Sequence, residues 1–323
     1  MKLSECVFSD IYVSTSPTSP PVVRSLEYRD ENGEWRIFSG VVPAPKNVWP
    51  DVRELFERVL AEAKEKRNDE LAVKYDGVIY RCANIVAPEG VTPRRAAEVQ
   101  NWCIRRIRSE VLPFADLSLE PKIKRILNNY QDKRGLVIVC GSFGSGKTTT
   151  ASSLFDHWVT KTCEVGVTLE DPPEVSLARV SDTGTIYQVD LTEKSPEEAI
   201  KKLRRWAPRY VFLGEVRTAE AAQELLQISQ SGPLVMATVH ASDPVSAITA
   251  LMRFASARMS ENDARDLIAR TVQGIVYLSY EKRKFKSRFL SIGEKEDVGI
   301  RTKIRLGDFQ RIDEAMEWQE QNR

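Results

Sequence analysis

Eight residues, "GSFGSGKT" from Gly141 to Thr148, restrict what this chain can fold into more than any other stretch. They fit G-x-x-x-x-G-K-[ST], which chance supplies in about one chain of this length in a hundred when glycine makes up ~7% of residues. Glycines let the backbone wrap closely around phosphate oxygens, and successive N–H groups at the start of a helix supply positive potential. The setting agrees: the apolar run "LVIVC" precedes the loop as a buried strand, and Leu154, Phe155 and Trp158 give the following segment an inward helical face. Gly141, Ser142, Phe143, Gly144, Ser145, Gly146, Lys147, Thr148 and Thr149 are therefore the candidate phosphate-binding residues. Lys147 is expected to reach the β- and γ-phosphates, and the Thr148 hydroxyl to ligate Mg²⁺. ATP and Mg²⁺ are the expected ligands.

Around this loop, from about residue 113 to 290, strand and helix patterns alternate, as in a parallel sheet with helices on both faces. "EVGVTLED", "YVFLGE" and "LVMATVH" read as strands. "SPEEAIKKL" reads as a helix with Ser195 as cap, Pro196 in its first turn and Glu198 closing a capping box. "AEAAQELLQISQ" reads as a helix ending at Gly232, and "SDPVSAITALMRF" opens another with Pro244 in its first turn. The tail suggests a basic hairpin at "EKRKFKSR" and a polar terminal helix at "DEAMEWQEQNR".

Before about residue 113 the pattern is that of a small α+β domain. It begins with a strand in "SDIYV", a Ser/Thr/Pro loop and a second strand. The helix "PDVRELFERVLAEAKEK" follows, with Asp51 and Glu54 spaced as a capping box. "VIYRCANI" reads as a strand, and so does "EVQNWCIRRI", although Thr92-Pro93 is a helix-start cue. The expected organisation is an N-terminal domain over 1–112, a linker over 113–120 and an α/β domain over 121–323.

Bulk properties narrow the function classes. A chain of 323 residues that is 42% hydrophobic has room for two packed domains. Forty-seven basic residues against 46 acidic ones leave a net charge of +1, so there is no global attraction to nucleic acid or an anionic membrane. The five cysteines form no C-x-x-C pair, which argues against a zinc ribbon or a disulfide framework. "MKLSECVFSDIYV" lacks the apolar core of a signal peptide, and no apolar run has the length of a membrane span. A cytoplasmic protein is expected, with any membrane association peripheral and through partners.

Three stretches follow the loop in order. "VTLEDPPE" places Glu170 and Asp171 where Pro172-Pro173 turns the chain, "FLGEVR" supplies Glu215 and Arg217, and "MATVH" ends in Thr238 and His240. Taken singly, an acidic pair at a strand end is more often a cap or turn, and a lone histidine after a strand a surface residue. His157 keeps that plain structural reading. Together with the loop they resemble the hexameric secretion-superfamily ATPases of type IV pili and of type II and type IV secretion, with their Walker A, Asp, Walker B and His boxes. "RRWAPRYVFLGEVR" is similar to that family's Arg-x-x-Pro run into Walker B, with Arg205 and Pro208 in register. Arg253 stands where the family has an arginine after its His box. "SDIYVSTSPTSPPVVRS", "IYRCAN" and "CIRRIRSEVLPFADLSL" resemble its N-terminal segments, so the likeness covers about residues 9 to 278.

The resemblance implies a RecA-like P-loop NTPase domain preceded by a smaller PAS-like α+β domain. It implies catalytic roles for Glu215, which would polarise the attacking water, for Glu170 and for His240. Mg²⁺ would rest on Thr148 with Asp171 as support. Arg81 and Arg105 hold the positions of arginines that the family lends to the γ-phosphate, although Arg94, Arg95, Arg106 and Arg108 are close enough in sequence to leave that choice open. The implied partners are five further copies in a homohexamer and an inner-membrane secretion or pilus platform protein, with no stable nucleic-acid binding. The chain departs from the family at Thr218, often Asp, at Ser231-Gly232-Pro233 in place of "TGH", and at Ala207 and Arg209 in place of "DPD". It lacks a counterpart of the retraction "AIRNLIRE" motif and of the four-cysteine zinc insert, and resembles the short, PilT-like or DotB/TraJ-like branch. A RecA-like nucleic-acid translocase and a non-hydrolysing ATP-gated scaffold remain open at this point.

Overall fold

The computed structural model describes residues 2–16, 19–29, 34–85, 99–107, 110–191, 194–281, 284–292 and 298–322. They fall into two compact units, Met1–Ser109 and Glu110–Arg323.

Among the described residues, the first unit is a six-stranded antiparallel sheet with one α-helix. The strands are β1 (Asp10–Ser14), β2 (Val22–Arg29), β3 (Trp35–Pro43), β4 (Glu70–Tyr75), β5 (Val78–Asn84) and β6 (Asn101–Arg106), in the order β3-β2-β1-β6-β5-β4. Helix α1 (Trp49–Lys66) buries Val52, Leu55, Phe56 and Val59 in one core with Ile11, Val23, Cys82 and Ile104 of the sheet. One residue along each strand the side chains turn to the opposite face. There Asp10 stands opposite Arg24 on one side and Arg105 on the other, and Arg105 opposite Arg81.

The capping box expected at Asp51 is not formed. α1 begins two residues earlier, at Trp49, because Pro50 needs no N–H partner in a first turn. Asp51 instead accepts from the Leu3 N–H at 2.8 Å, and Glu54 takes Arg58 and the Tyr75 hydroxyl.

The second unit is built on a seven-stranded sheet. Its strands are β7 (Gly135–Gly141), β8 (Val165–Glu170), β9 (Thr185–Asp190), β10 (Tyr210–Leu213), β11 (Leu234–His240), β12 (Val272–Glu281) and β13 (Lys284–Ser291). The order is β13-β12-β7-β11-β10-β8-β9, parallel throughout except for the hairpin β12–β13. Helices α2 (Pro121–Leu127), α3 (Lys147–Thr162), α4 (Pro196–Trp206), α5 (Ala219–Gln230), α6 (Pro244–Ser256), α7 (Glu261–Thr271), α8 (Val298–Leu306) and α9 (Arg311–Asn322) complete it. Strands buried on both faces read as continuous apolar runs. In β7, Leu136, Ile138 and Cys140 join the core of α4–α9, while Val137 and Val139 join that of α3 with Leu154, Phe155 and Trp158.

Two features were not foreseen from the sequence. β9 is the last strand of the sheet, paired with β8 and bridged at Ile186 to Arg179, and its half-exposed "TIYQVD" carries no strong apolar signature. In the segment 113–120, Leu117 and Leu119 are buried in the α3 core and Phe114 stacks on His157 with centroids 4.4 Å apart. At the far end of the chain, the buried Gln319 side chain accepts from the Ser291 N–H and donates to its carbonyl, both at 2.9 Å, seating α9 on β13. Among the described residues no helix is long and apolar enough to cross a membrane.

Candidate nucleotide site

β7 delivers the chain to Gly141, where a Cβ would lie 2.2 Å from the Leu278 carbonyl oxygen, so no larger residue fits. The loop then enters α3 through Gly146, the helix N-cap, at φ +87°. The next four helices, α4 to α7, are capped by side chains: Ser195 accepts from Glu198 N–H, Thr218 from Ala221, Asp243 from Ser246 and Ser260 from Asp263. α3 has no side-chain cap. Its first-turn N–H groups, on Lys147, Thr148 and Thr149, keep the positive end of the helix for a ligand. Thr218, a departure from the family pattern in the sequence, is thus the cap of α5. The expected cap at Ser195 forms, its Oγ accepting from the Glu198 N–H at 3.3 Å while its hydroxyl hydrogen goes to Glu197.

Lys147 Nζ donates to the Ser142 carbonyl at 2.9 Å, folding back over the loop it serves. Burial pushes its pKa below the usual lysine value, and the negative charges of Glu215 and Glu174 oppose that shift.

The parallel strands bring their C-terminal ends to one edge. Gly141 pairs with His240, and Leu213 lies between Ala237 and Leu169 in register, so β7, β11, β10 and β8 present Gly141, His240, Glu215 and Glu170 in spatial order. Ligands of open α/β sheets bind at this end, where the strand order reverses. Glu170 is only 2% exposed. Its Oε1 accepts from Thr168 Oγ1 at 2.7 Å and Gln188 Nε2 at 2.8 Å. Burial raises its pKa above the ordinary carboxylate value, against the pull of those two hydrogen bonds.

Gly214 packs on the Cα–Cγ stem that carries this carboxylate: a Cβ would meet Glu170 Cγ at 3.2 Å. The Gly214 carbonyl accepts from the Thr238 hydroxyl, which ties β10 to β11 just before the glutamate. Glu215 itself is half-buried, with Oε2 held by Arg217 Nε at 2.8 Å and Nη2 at 2.6 Å. Asp171 is exposed beside the buried Pro172. His240 is exposed at the strand end and lines a groove of about 470 Å³ with Ser142, Ser242, Ser246, Thr249 and Arg253.

The arginine candidates belong to the first unit. Arg105 and Arg81 are on neighbouring strands of the first unit, Arg105 Nε donating to Asp10 at 2.8 Å and Arg81 lying 3.8 Å from Glu70. Arg106 is tied to the Ser4 and Cys6 carbonyls. Arg94, Arg95 and Arg108 lie outside the described residues. His157 bonds Asn128 Oδ1 at 2.9 Å, a packing role. Sequence reasoning missed Glu174, although its charge reaches Lys147, and Gln188, which follows from missing β9. The second glutamate of "LEDPPE" was a visible signal for the former.

The oxygen donors fit Mg²⁺. The Thr148 hydroxyl is half-buried in the first turn of α3, with carboxylates at the end of β8. Among the described residues no group of three His, Cys, Asp or Glu side chains could hold a metal. A hard cation that keeps its waters and relies on substrate phosphates needs no such cage.

The family profile described as "Type II/IV secretion system protein" matches residues 95–284. The chain belongs to that family. Among curated relatives of this secretion-family chain, the type II secretion system protein HxcR of Pseudomonas aeruginosa is 31% identical over 193 residues, 60% of this chain and 39% of HxcR. The type IV pilus ATPase PilU of the same organism is 26% identical over 203 residues, 61% of this chain and 51% of PilU. The chain therefore spans about half or less of these two curated relatives. In fold it is similar to the pilus retraction motor PilT with bound ADP, with a TM-score of 0.70 at 23% identity over 96% of this chain and 86% of that one. It also resembles the Legionella pneumophila ATPase DotB, with a TM-score of 0.68 at 16% identity over 96% of this chain and 86% of DotB. The fold is thus the RecA-like α/β architecture with a smaller N-terminal α+β unit.

Proposed function

We propose that this chain is an ATP-hydrolysing subunit of a homohexameric motor that powers a type IV secretion, conjugation or type IV pilus machine at the cytoplasmic face of the inner membrane. The observation that carries the reading is the uncapped, glycine-entered start of α3 beside a row of strand ends bearing Glu170, Glu215 and His240. Its relatives in pilus and secretion systems support the machine class.

In this reading Lys147 leaves the Ser142 carbonyl to hold the β- and γ-phosphates of ATP, and the first-turn N–H groups bind phosphate oxygens. Thr148, with Asp171 in support, would hold Mg²⁺, which would supply charge neutralisation at the phosphates. Glu215 orients the attacking water and takes up its proton, while Glu170 is a fixed carboxylate beside it. Phosphoryl transfer asks little covalent chemistry of the protein, so positioned charge carries most of the rate. The energy released drives movement of domains rather than modification of a small molecule.

Phosphate release by the purified chain, measured with and without Mg²⁺ and alongside its mass in solution, tests this. Mg²⁺-dependent hydrolysis by a hexamer, unaffected by added DNA, is expected. DNA-stimulated hydrolysis would favour a translocase, and a nucleotide-bound ring without turnover a scaffold. Identifying the membrane protein that co-purifies with the chain then decides which machine it serves.

A further inference from the structure

Gln188 stands on β9 directly opposite Thr168 of β8. Its side-chain amide is engaged at three points. Nε2 donates to Glu170 Oε1 at 2.8 Å and to the Val175 carbonyl at 2.8 Å, while Oε1 accepts from the Leu177 N–H at 3.0 Å. Only an amide offers two donors and an acceptor in one plane at the end of a chain of this length. All three contacts fall on the segment that leaves β8, which carries Glu170, Asp171 and Glu174. That segment is also pinned by apolar burial at Val175, 5% exposed, and Leu177, 2% exposed.

We infer that Gln188 is the positioning residue of this acidic segment: it fixes the Glu170 carboxylate and, through the backbone of Val175 and Leu177, sets where Asp171 and Glu174 stand relative to the phosphate loop. The inference rests on the ATP-hydrolysis reading above and adds how its acidic side is held. Gln188 acts through Glu170 and the segment, not on the nucleotide. Thr168 and Gln188 both donate to the same oxygen of Glu170, so the carboxylate is held from two adjacent strands. Such supporting hydrogen bonds fix a site's geometry, whereas a carboxylate free to change rotamer loses the alignment on which charge stabilisation depends.

The experiment uses the full chain with Gln188→Leu and Gln188→Glu. The glutamate variant keeps the size and the acceptor for Leu177 but sets a second carboxyl against Glu170 in place of the donors, so it reports the loss of that support even where the leucine variant does not fold. Binding is read with a fluorescent ATP analogue, and turnover by phosphate release across a Mg²⁺ titration. Nucleotide affinity should stay as in the wild type while kcat falls about 10- to 100-fold, the usual loss on removing a group that orients a site residue. The Mg²⁺ concentration for half-maximal turnover should rise. Glu170→Gln combined with Gln188→Leu, or with Gln188→Glu where the leucine variant does not fold, should lose less than the product of the two single losses, because the variants share the Glu170–Gln188 hydrogen bond. A structural staple would lower the melting temperature without moving the Mg²⁺ requirement. Wild-type kcat in Gln188→Glu, or a double-variant loss equal to the product of the single losses, overturns the inference. Failure of the underlying reading looks different: the wild-type chain would release no phosphate and Lys147→Ala would bind nucleotide as before, and both proposals would fall together.

Discussion

Gly214 lies against Glu170, with the position of a Cβ at 214 only 3.2 Å from Glu170 Cγ and 3.3 Å from its Cα. The glycine before Glu215 thus makes room for the stem of the glutamate on the adjacent strand. Gly214→Ala should leave nucleotide affinity intact and lower kcat by about tenfold, since a misplacement of about 1 Å can cost a hundredfold in rate. Steady-state kinetics compared with equilibrium binding check this, and unchanged kcat would remove the coupling between the two strand ends.

Lys147 is the cation nearest the start of α3 in sequence, and here it donates to the Ser142 carbonyl. Lys147→Ala should abolish tight ATP binding while leaving the melting temperature of the ligand-free chain nearly unchanged. Added ATP should then raise the melting temperature of the wild type and not of the variant, because stabilisation follows ligand occupancy.

Glu170 carries a pH signature. Burial raises its folded-state pKa, so between the unfolded and folded values the native state binds more protons than the unfolded chain. The contribution of this group to stability is therefore lost as pH rises through the folded value. Glu170→Gln, which keeps an acceptor for Thr168 and Gln188, should be more stable than the wild type above that window and converge with it below. Urea denaturation at a series of pH values reads this directly, with turnover reduced in the same variant.

In the first unit, Asp10 is 2% exposed and accepts from Arg105 Nε at 2.8 Å, with Arg24 3.8 Å away on the other side. Asp10→Ala should cost about 1–3 kcal/mol, the range for losing a hydrogen bond to a charged group at a site one partner of which is partly exposed. Chemical denaturation measures it. A loss below a few tenths of a kcal/mol would mean that Arg105 is not anchored by Asp10.

The phosphate loop was legible because its chemistry needs contiguous residues, and its glycines stand where the backbone turns tightly. Glu170 and Glu215 were legible for a related reason: short apolar strands end where the charge begins. The last strand of the sheet, β9, was not, since a half-exposed strand such as "TIYQVD" gives no continuous apolar run. Missing β9 hid Gln188, whose contacts join positions 11 to 18 residues apart that only the folded sheet brings together. The misplaced cap at Asp51 has a local cause, since Pro50 suits the inside of a helix start as well as the residue before one.

Turnover by Glu215→Gln, measured beside nucleotide retention, tests the central claim most directly. The Gln variant should bind ATP as tightly as the wild type and release phosphate at least a hundredfold more slowly, on the scale of losing a general base. Hydrolysis at the wild-type rate would show that Glu215 does not orient the attacking water, and would contradict the site proposed at the end of β10.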